Sequence, residues 1–423
     1  MTASPTTSTT EVPAFDVAAV KKDFPILSRQ VRGRRLVYLD SANTSQKPRA
    51  VLDAIDEYYE QHNANVHRGT YLIAEEATAA LEGARQKVAR FIGASSTREV
   101  VFTKNATEAL NLVAKAWGRE HLRTGDAVVI TELEHHANIV PWHQLRAELD
   151  LDLRWIPIRA DGHLDLSDLD RLLDGAKVVS FAAMSNVLGT INPIDQLVTA
   201  AHDAGAIAVV DASQLVPHMP TDVGSWAADF VAFTGHKMCG PTGIGVLWGS
   251  EEILDATPPF LTGGEMILNV TKEGFTPNEL PWKFEAGTPP IAEAVGLGAA
   301  VDYLTGIDGG MQAIRQHEVE LTEYALRTLG ERFDDLTIYG PTDATERGGV
   351  LSFSFGDIHP HDLTQVFDQH GVCVRAGHHC AKPLMRVLGV SASARASLYL
   401  YNDTDDVDGL ADALAAAADF FAH

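Results

Sequence analysis

Through the middle of the chain, short apolar runs alternate with segments whose apolar positions recur at helical spacing. Seven runs read as strands: Glu99–Thr103, Ala127–Thr131, Arg154–Ile158, Lys177–Ala183, Ala206–Asp211, Asp229–Thr234 and Gly245–Gly249. Between several of them lie helix-period segments, Ala106–Trp117, Asn138–Leu149 and Ile194–Ala204. Strands that are apolar at nearly every position belong to a sheet covered on both faces, and strand–helix alternation makes that sheet parallel. From about Gly296 the pattern changes. Helices Ile291–Leu304 and Met311–Leu329 precede strands Thr337–Tyr339, Val350–Phe355, Val372–Arg375 and Ala396–Tyr401. The pattern predicts an α/β fold with a mainly parallel seven-stranded sheet in a large domain, 36–295, and a smaller α+β domain, 296–423. Residues 15–35 are expected to pack on the smaller domain. The opening stretch 1–14, MTASPTTSTTEVPA, reads as a disordered tail.

Charge narrows the function. Among 423 residues, 33 are Lys or Arg and 57 are Asp or Glu, for a net charge of −24. Nucleic acids and anionic membranes need basic patches, so neither is an expected partner. No apolar run approaches the ~18–20 residues of a membrane-spanning helix. The first residues carry neither the basic nor the apolar region of a secretory signal. Three cysteines, Cys239, Cys373 and Cys380, are too few for a disulfide scaffold and fit a reducing compartment, the cytoplasm by default.

Three segments carry candidate chemistry. In VVFTKNATEALNLVA a strand runs into Asn105 and a helix opens, with Glu108 at capping spacing. A helix start with the Thr107 hydroxyl makes a phosphate cradle, or simply a capped helix. In VVDASQ, Asp211 ends an apolar strand, where open α/β sheets bind ligands. It can pair with a protonated ring nitrogen or cap a helix. In FVAFTGHKMCGPTGIGVL, Lys237 follows a strand and precedes a glycine-rich turn. A partly desolvated lysine there can form a Schiff base, with Thr234 and His236 in reach of a phosphate; the plain alternative is a surface lysine before a turn. Together the three supply what pyridoxal 5'-phosphate needs from a protein.

The chain resembles the SufS-type cysteine desulfurases, enzymes of the class V aminotransferase group with PLP fold-type I. The resemblance runs from about Phe24 to Phe420, through YLDSANTSQKP, ELEHHANIVPW, SNVLGT, TGHKMCGPTGIGVLW, WKFEAGTP, RAGHHCAKPLM and ARASLYLYN. It implies pyridoxal 5'-phosphate on Lys237, with Asp211 at the ring nitrogen, Gln214 near the phenolic oxygen and His135 stacked on the ring. It also implies Thr107, Thr234 and His236 at the phosphate, with Thr288 reaching the phosphate of the other subunit of a homodimer. Asn186 and Arg395 match the contacts to the substrate carboxylate. Arg375 opens the catalytic loop, and Cys380 matches the catalytic cysteine.

The residues around Cys380 support that reading: Arg375, His378, His379 and Lys382 lie close in sequence, and positive charge favours thiolate. Cys373 sits in an apolar run and Cys239 beside Lys237, both read as structural. Adjacent histidines rarely ligate one ion, so no metal is expected. The implied reaction takes L-cysteine to L-alanine and leaves a persulfide on the enzyme, for a sulfur acceptor of SufE or SufU type that feeds iron–sulfur cluster assembly. The alternative is a selenocysteine lyase or another class V lyase, which needs the same lysine but less of Cys380. Asn43, Met184 and Ser213 depart from the residues usual at their positions.

Overall fold

The computed structural model describes residues 15–422. The expected tail, 1–14, lies outside the described residues. The large sheet holds β1 (Val100–Thr103), β2 (Ala127–Thr131), β3 (Asp152–Ile156), β4 (Ala176–Ala182), β5 (Ile207–Asp211), β6 (Phe230–Thr234) and β7 (Gly245–Gly249). Their order is β1-β7-β6-β5-β4-β2-β3. Only β7 runs against its neighbours, pairing antiparallel with β1 and with β6. Every residue of β1, β2, β6 and β7 is buried. Helices on both faces explain why these strands carry no polar alternation.

A second sheet of four antiparallel strands combines β8 (Leu336–Ile338), β9 (Val350–Phe355), β10 (Arg375–Gly377) and β11 (Ser393–Ser397), in the order β8-β9-β11-β10. Two expected strands change here. Val372–Arg375 splits: Val372–Cys373 pairs in parallel with Val37–Tyr38, and only from Arg375 does the chain join β11. The strand expected at Ala396–Tyr401 lies earlier, at Ser393–Ser397. Its buried residues include Ser393, Arg395 and Ser397, so polarity hides it, whereas Leu398–Tyr401 is an apolar, fully packed segment outside the ladder. The expected Arg154–Ile158 strand begins two residues earlier, at Asp152.

The segment before Leu36 lies against the chain's last third. Lys21 Nζ donates to Asp403 at 2.7 Å and to Asp406 at 2.9 Å. Arg35 pairs with the same buried Asp406, and Phe15 stacks on His317. Because Val37–Tyr38 continues into Asp40, this docking also delivers Asp40 to the carboxyl end of β11, where it bridges Ser397.

Candidate active site

A cavity of about 200 Å3 opens beyond the carboxyl ends of the central strands. Asp211 ends β5, Thr234 ends β6 and Ala182 ends β4, and all three line it. The cavity brings together Thr107, His135, Asn186, Asp211, Gln214, Thr234, His236, Lys237, Arg375, Cys380 and Arg395. Asn43, Met184 and Ser213 line it as well. Thr288 does not; it is exposed on the loop before helix Ile291–Gly306.

One end is an anion cradle. Asn105 caps the helix that starts at Ala106, its side chain accepting from the Glu108 N–H at 3.0 Å. Glu108 returns to the Lys104 N–H at 2.6 Å. The helix start keeps unpaired N–H groups, which favour an anion beside the Thr107 hydroxyl. Behind it, a Cβ on Gly245 would come within 2.5 Å of the Asn105 backbone, so only glycine lets β7 lie this close.

The turn after β6 is held from the N-terminal side. The His236 carbonyl accepts from the Ser45 N–H at 3.0 Å and from Lys47 Nζ at 3.1 Å. Burial, with the positive charges of Lys237 and Lys47, lowers the His236 imidazole to about 4. Lys237 sits deep in the protein but opens onto the cavity. Burial pulls its amine down to about 8, Asp211 opposes that shift and Arg395 adds to it. Asp211 Oδ1 accepts from the Ser213 N–H at 3.0 Å, which fixes the carboxylate at the strand end.

His135 is neutral. Burial first, then the charges of Lys237, His136 and Arg395, push it down to about 3. Its Nδ1 accepts from the Ala137 N–H at 3.0 Å, so the ring proton sits on Nε2.

The Cys380 loop closes the opposite wall. His379 (φ 50°) and Cys380 (φ 55°) both adopt the left-handed region, which costs free energy for side chains with a Cβ. Surrounding contacts hold them there. Asn186 Nδ2 donates to the His379 carbonyl at 2.7 Å, and the His136 N–H donates to the Cys380 carbonyl at 2.7 Å. With its carbonyls turned inward the loop presents Cys380 exposed, whereas Cys239 is buried and its thiol is pushed up to about 12.

The walls fit pyridoxal 5'-phosphate and an amino acid. Thr234 Oγ1, Gln214 Oε1 and Arg395 Nε are buried without a hydrogen-bond partner among the described residues. Orphaned polar atoms are costly in a folded protein. These three match a phosphate oxygen, a ring hydroxyl and a carboxylate in turn.

Four residues around the site escaped the sequence reading. Asp40 accepts from Arg375 and from Arg395. His136 clamps the Cys380 loop. Lys47 props the Lys237 turn. Glu134, buried behind Asp211, accepts from Thr131, the Ala182 N–H and Asn138. Burial pushes its carboxyl up to about 8. The doubled histidine and the acid just before it in ELEHHAN were the visible signals.

The sequence model of class V aminotransferases matches residues 37–410. A probable cysteine desulfurase of Streptomyces coelicolor is 56% identical over 419 residues, covering 97% of this chain and 100% of the relative. A cysteine desulfurase of Haloferax volcanii is 51% identical over 421 residues, 96% of this chain and 98% of the relative. Among solved structures, the apo cysteine desulfurase of Thermococcus onnurineus superposes with a TM-score of 0.89 at 40% identity, covering 99% of both chains. The Escherichia coli cysteine desulfurase CsdA gives 0.88 at 36%, over 96% of this chain and 99% of that one. The two-sheet architecture is therefore fold-type I, and with the match reaching from the strand at Val37 into the last helix, the chain belongs to the class V aminotransferase family.

Proposed function

We propose that this protein is a cysteine desulfurase that uses pyridoxal 5'-phosphate to convert L-cysteine to L-alanine, leaving the sulfur on Cys380. The observation that carries the reading is that an exposed cysteine, Cys380, lines the same cavity as the half-buried Lys237. A lyase that needs only the lysine has no use for a thiol presented in this way.

When bound, the cofactor supplies an electron sink for the electrons released at the substrate α-carbon. Lys237 carries the cofactor and moves the α-proton, and an amine near 8 is poised for both tasks at neutral pH. Asp211 keeps a proton on the ring nitrogen with its carboxylate charge. His135, a neutral group with its proton on Nε2, would lie beside the bound cofactor and could donate from Nε2 toward the substrate. Thr107, Thr234 and His236 hold the phosphate, and Thr288 serves the site of the second subunit of a homodimer. Arg395, with Asn186, binds the substrate carboxylate. The Cys380 thiolate then attacks the substrate sulfur. An S–S bond forms as the C–S bond breaks, the C–S electron pair stays on carbon, and that carbon takes a proton to become the methyl of alanine. Cys380 is left as the persulfide.

A sulfur-accepting protein of SufE or SufU type then relieves Cys380, in the service of iron–sulfur cluster assembly. The three unpaired cysteines suit a cytoplasmic setting. The test is to quantify alanine and sulfide from L-cysteine with and without each acceptor. Equimolar alanine and transferable sulfur supports the reading, and no alanine from the cofactor-loaded protein refutes it.

A further inference from the structure

Arg375 and Arg395 face each other directly across the β10–β11 ladder. Like charges at directly opposed positions are destabilising. Asp40 stands between them. Its Oδ2 accepts from Arg375 Nη2 at 3.2 Å and its Oδ1 from Arg395 Nη2 at 3.4 Å. The carboxylate is 15% exposed and Arg395 only 3%, so solvent screens that pair weakly, while Arg375 is 44% exposed and reaches Asp40 from the open side. Arg395 Nη1 is spent on the Asn186 carbonyl at 2.9 Å, and its Nε is buried without a partner among the described residues. Both arginines line the cavity.

We propose that Asp40 is a positioning residue that sets the charge of the carboxylate site and thereby its selectivity for amino acids bearing a single carboxylate. Two guanidinium groups and one carboxylate leave one net positive charge, which one incoming carboxylate neutralises. Without Asp40 the site carries two and suits a dianionic amino acid. Without Arg375 it carries none and loses its pull on either kind. Asp40 also holds Arg375, three residues ahead of His378, so the same contact ties the N-terminal strand to the cysteine loop. The inference rests on the proposed role of Arg395 as the substrate-carboxylate ligand.

The test uses the cofactor-loaded enzyme and two probes, L-alanine and L-aspartate, whose dissociation constants are measured by calorimetry. Asp40→Asn is expected to shift the alanine-to-aspartate preference about tenfold toward L-aspartate. Asp40→Glu, which keeps the charge, is expected to retain the wild-type ratio. Arg375→Gln is expected to shift the ratio the other way, and Asp40→Asn with Arg375→Gln to return it to within about twofold of wild type. Melting temperatures establish that each variant is folded. A folded Asp40→Asn protein with the wild-type ratio overturns the proposal. If that variant does not fold, an unchanged ratio in Arg375→Gln overturns it instead. Alanine release from L-cysteine by the wild type reports separately on the desulfurase reading.

Discussion

His136 holds Cys380 from two directions. Its N–H donates to the Cys380 carbonyl at 2.7 Å, and its Nε2 accepts from the Lys382 N–H at 3.0 Å, one residue past the loop's end at Ala381. Its neighbour His135 faces the cavity. Adjacent histidines thus divide the labour, one lining the cavity and one fastening the Cys380 loop. His136→Ala keeps the backbone contact and loses the ring contact, worth about 1 kcal/mol. It should retain the cofactor and lower L-cysteine turnover by about five- to tenfold. Unchanged turnover would show that the loop does not depend on this ring.

Lys237 gives a pH signature. Its amine is lowered to about 8, chiefly by burial. Below that pH it is protonated and cannot attack a carbonyl; above it the free amine dominates. The rate at which the apoprotein takes up pyridoxal 5'-phosphate covalently should therefore rise as pH rises through about 8 and then level off. His135, neutral down to about 3, should add no inflection between pH 5 and 7, a window estimated from unperturbed histidine titration. Stopped-flow absorbance checks this. Lys237→Ala should show no covalent uptake at any pH and no alanine formation.

The anion cradle depends on a glycine. Gly245→Ala puts a Cβ against the Asn105 backbone, which has no flexible side chain to yield. The variant should lose about 1–3 kcal/mol of stability and retain the cofactor less well on dialysis. Gly264→Ala, where a Cβ meets nothing within 4 Å, is the control and should match wild type in both measurements.

The large sheet was legible because most of its strands are buried on both faces and read as short apolar runs, whereas β3, largely half-buried or exposed, begins two residues earlier than its pattern predicts. The second sheet was harder. β11 carries Ser393, Arg395 and Ser397 inward, so its burial has no apolar signature. Val37–Tyr38 is only two residues long and exists because Val372–Cys373 lies beside it. The same distinction separates the site residues. Lys237, Asp211 and Cys380 announce themselves through reactive groups next to strand ends or glycine-rich loops. Asp40 and Lys47 act through partners nearly two hundred or more positions away, on Arg375, Arg395 and His236, and spacing along the chain carries no trace of them.

The central claim is that sulfur leaves L-cysteine for Cys380, and peptide mass spectrometry after a brief exposure of the loaded enzyme to L-cysteine tests it most directly. One extra sulfur should appear on the peptide containing Cys380. Cys239, buried and with its thiol pushed up to about 12, and Cys373, raised mainly by burial, should stay unmodified. Cys380→Ser should keep the cofactor on Lys237, gain no sulfur and release no alanine at the wild-type rate, because a hydroxyl cannot hold a persulfide. Sulfur on Cys239 or Cys373 instead, or normal desulfuration by Cys380→Ser, would contradict the account.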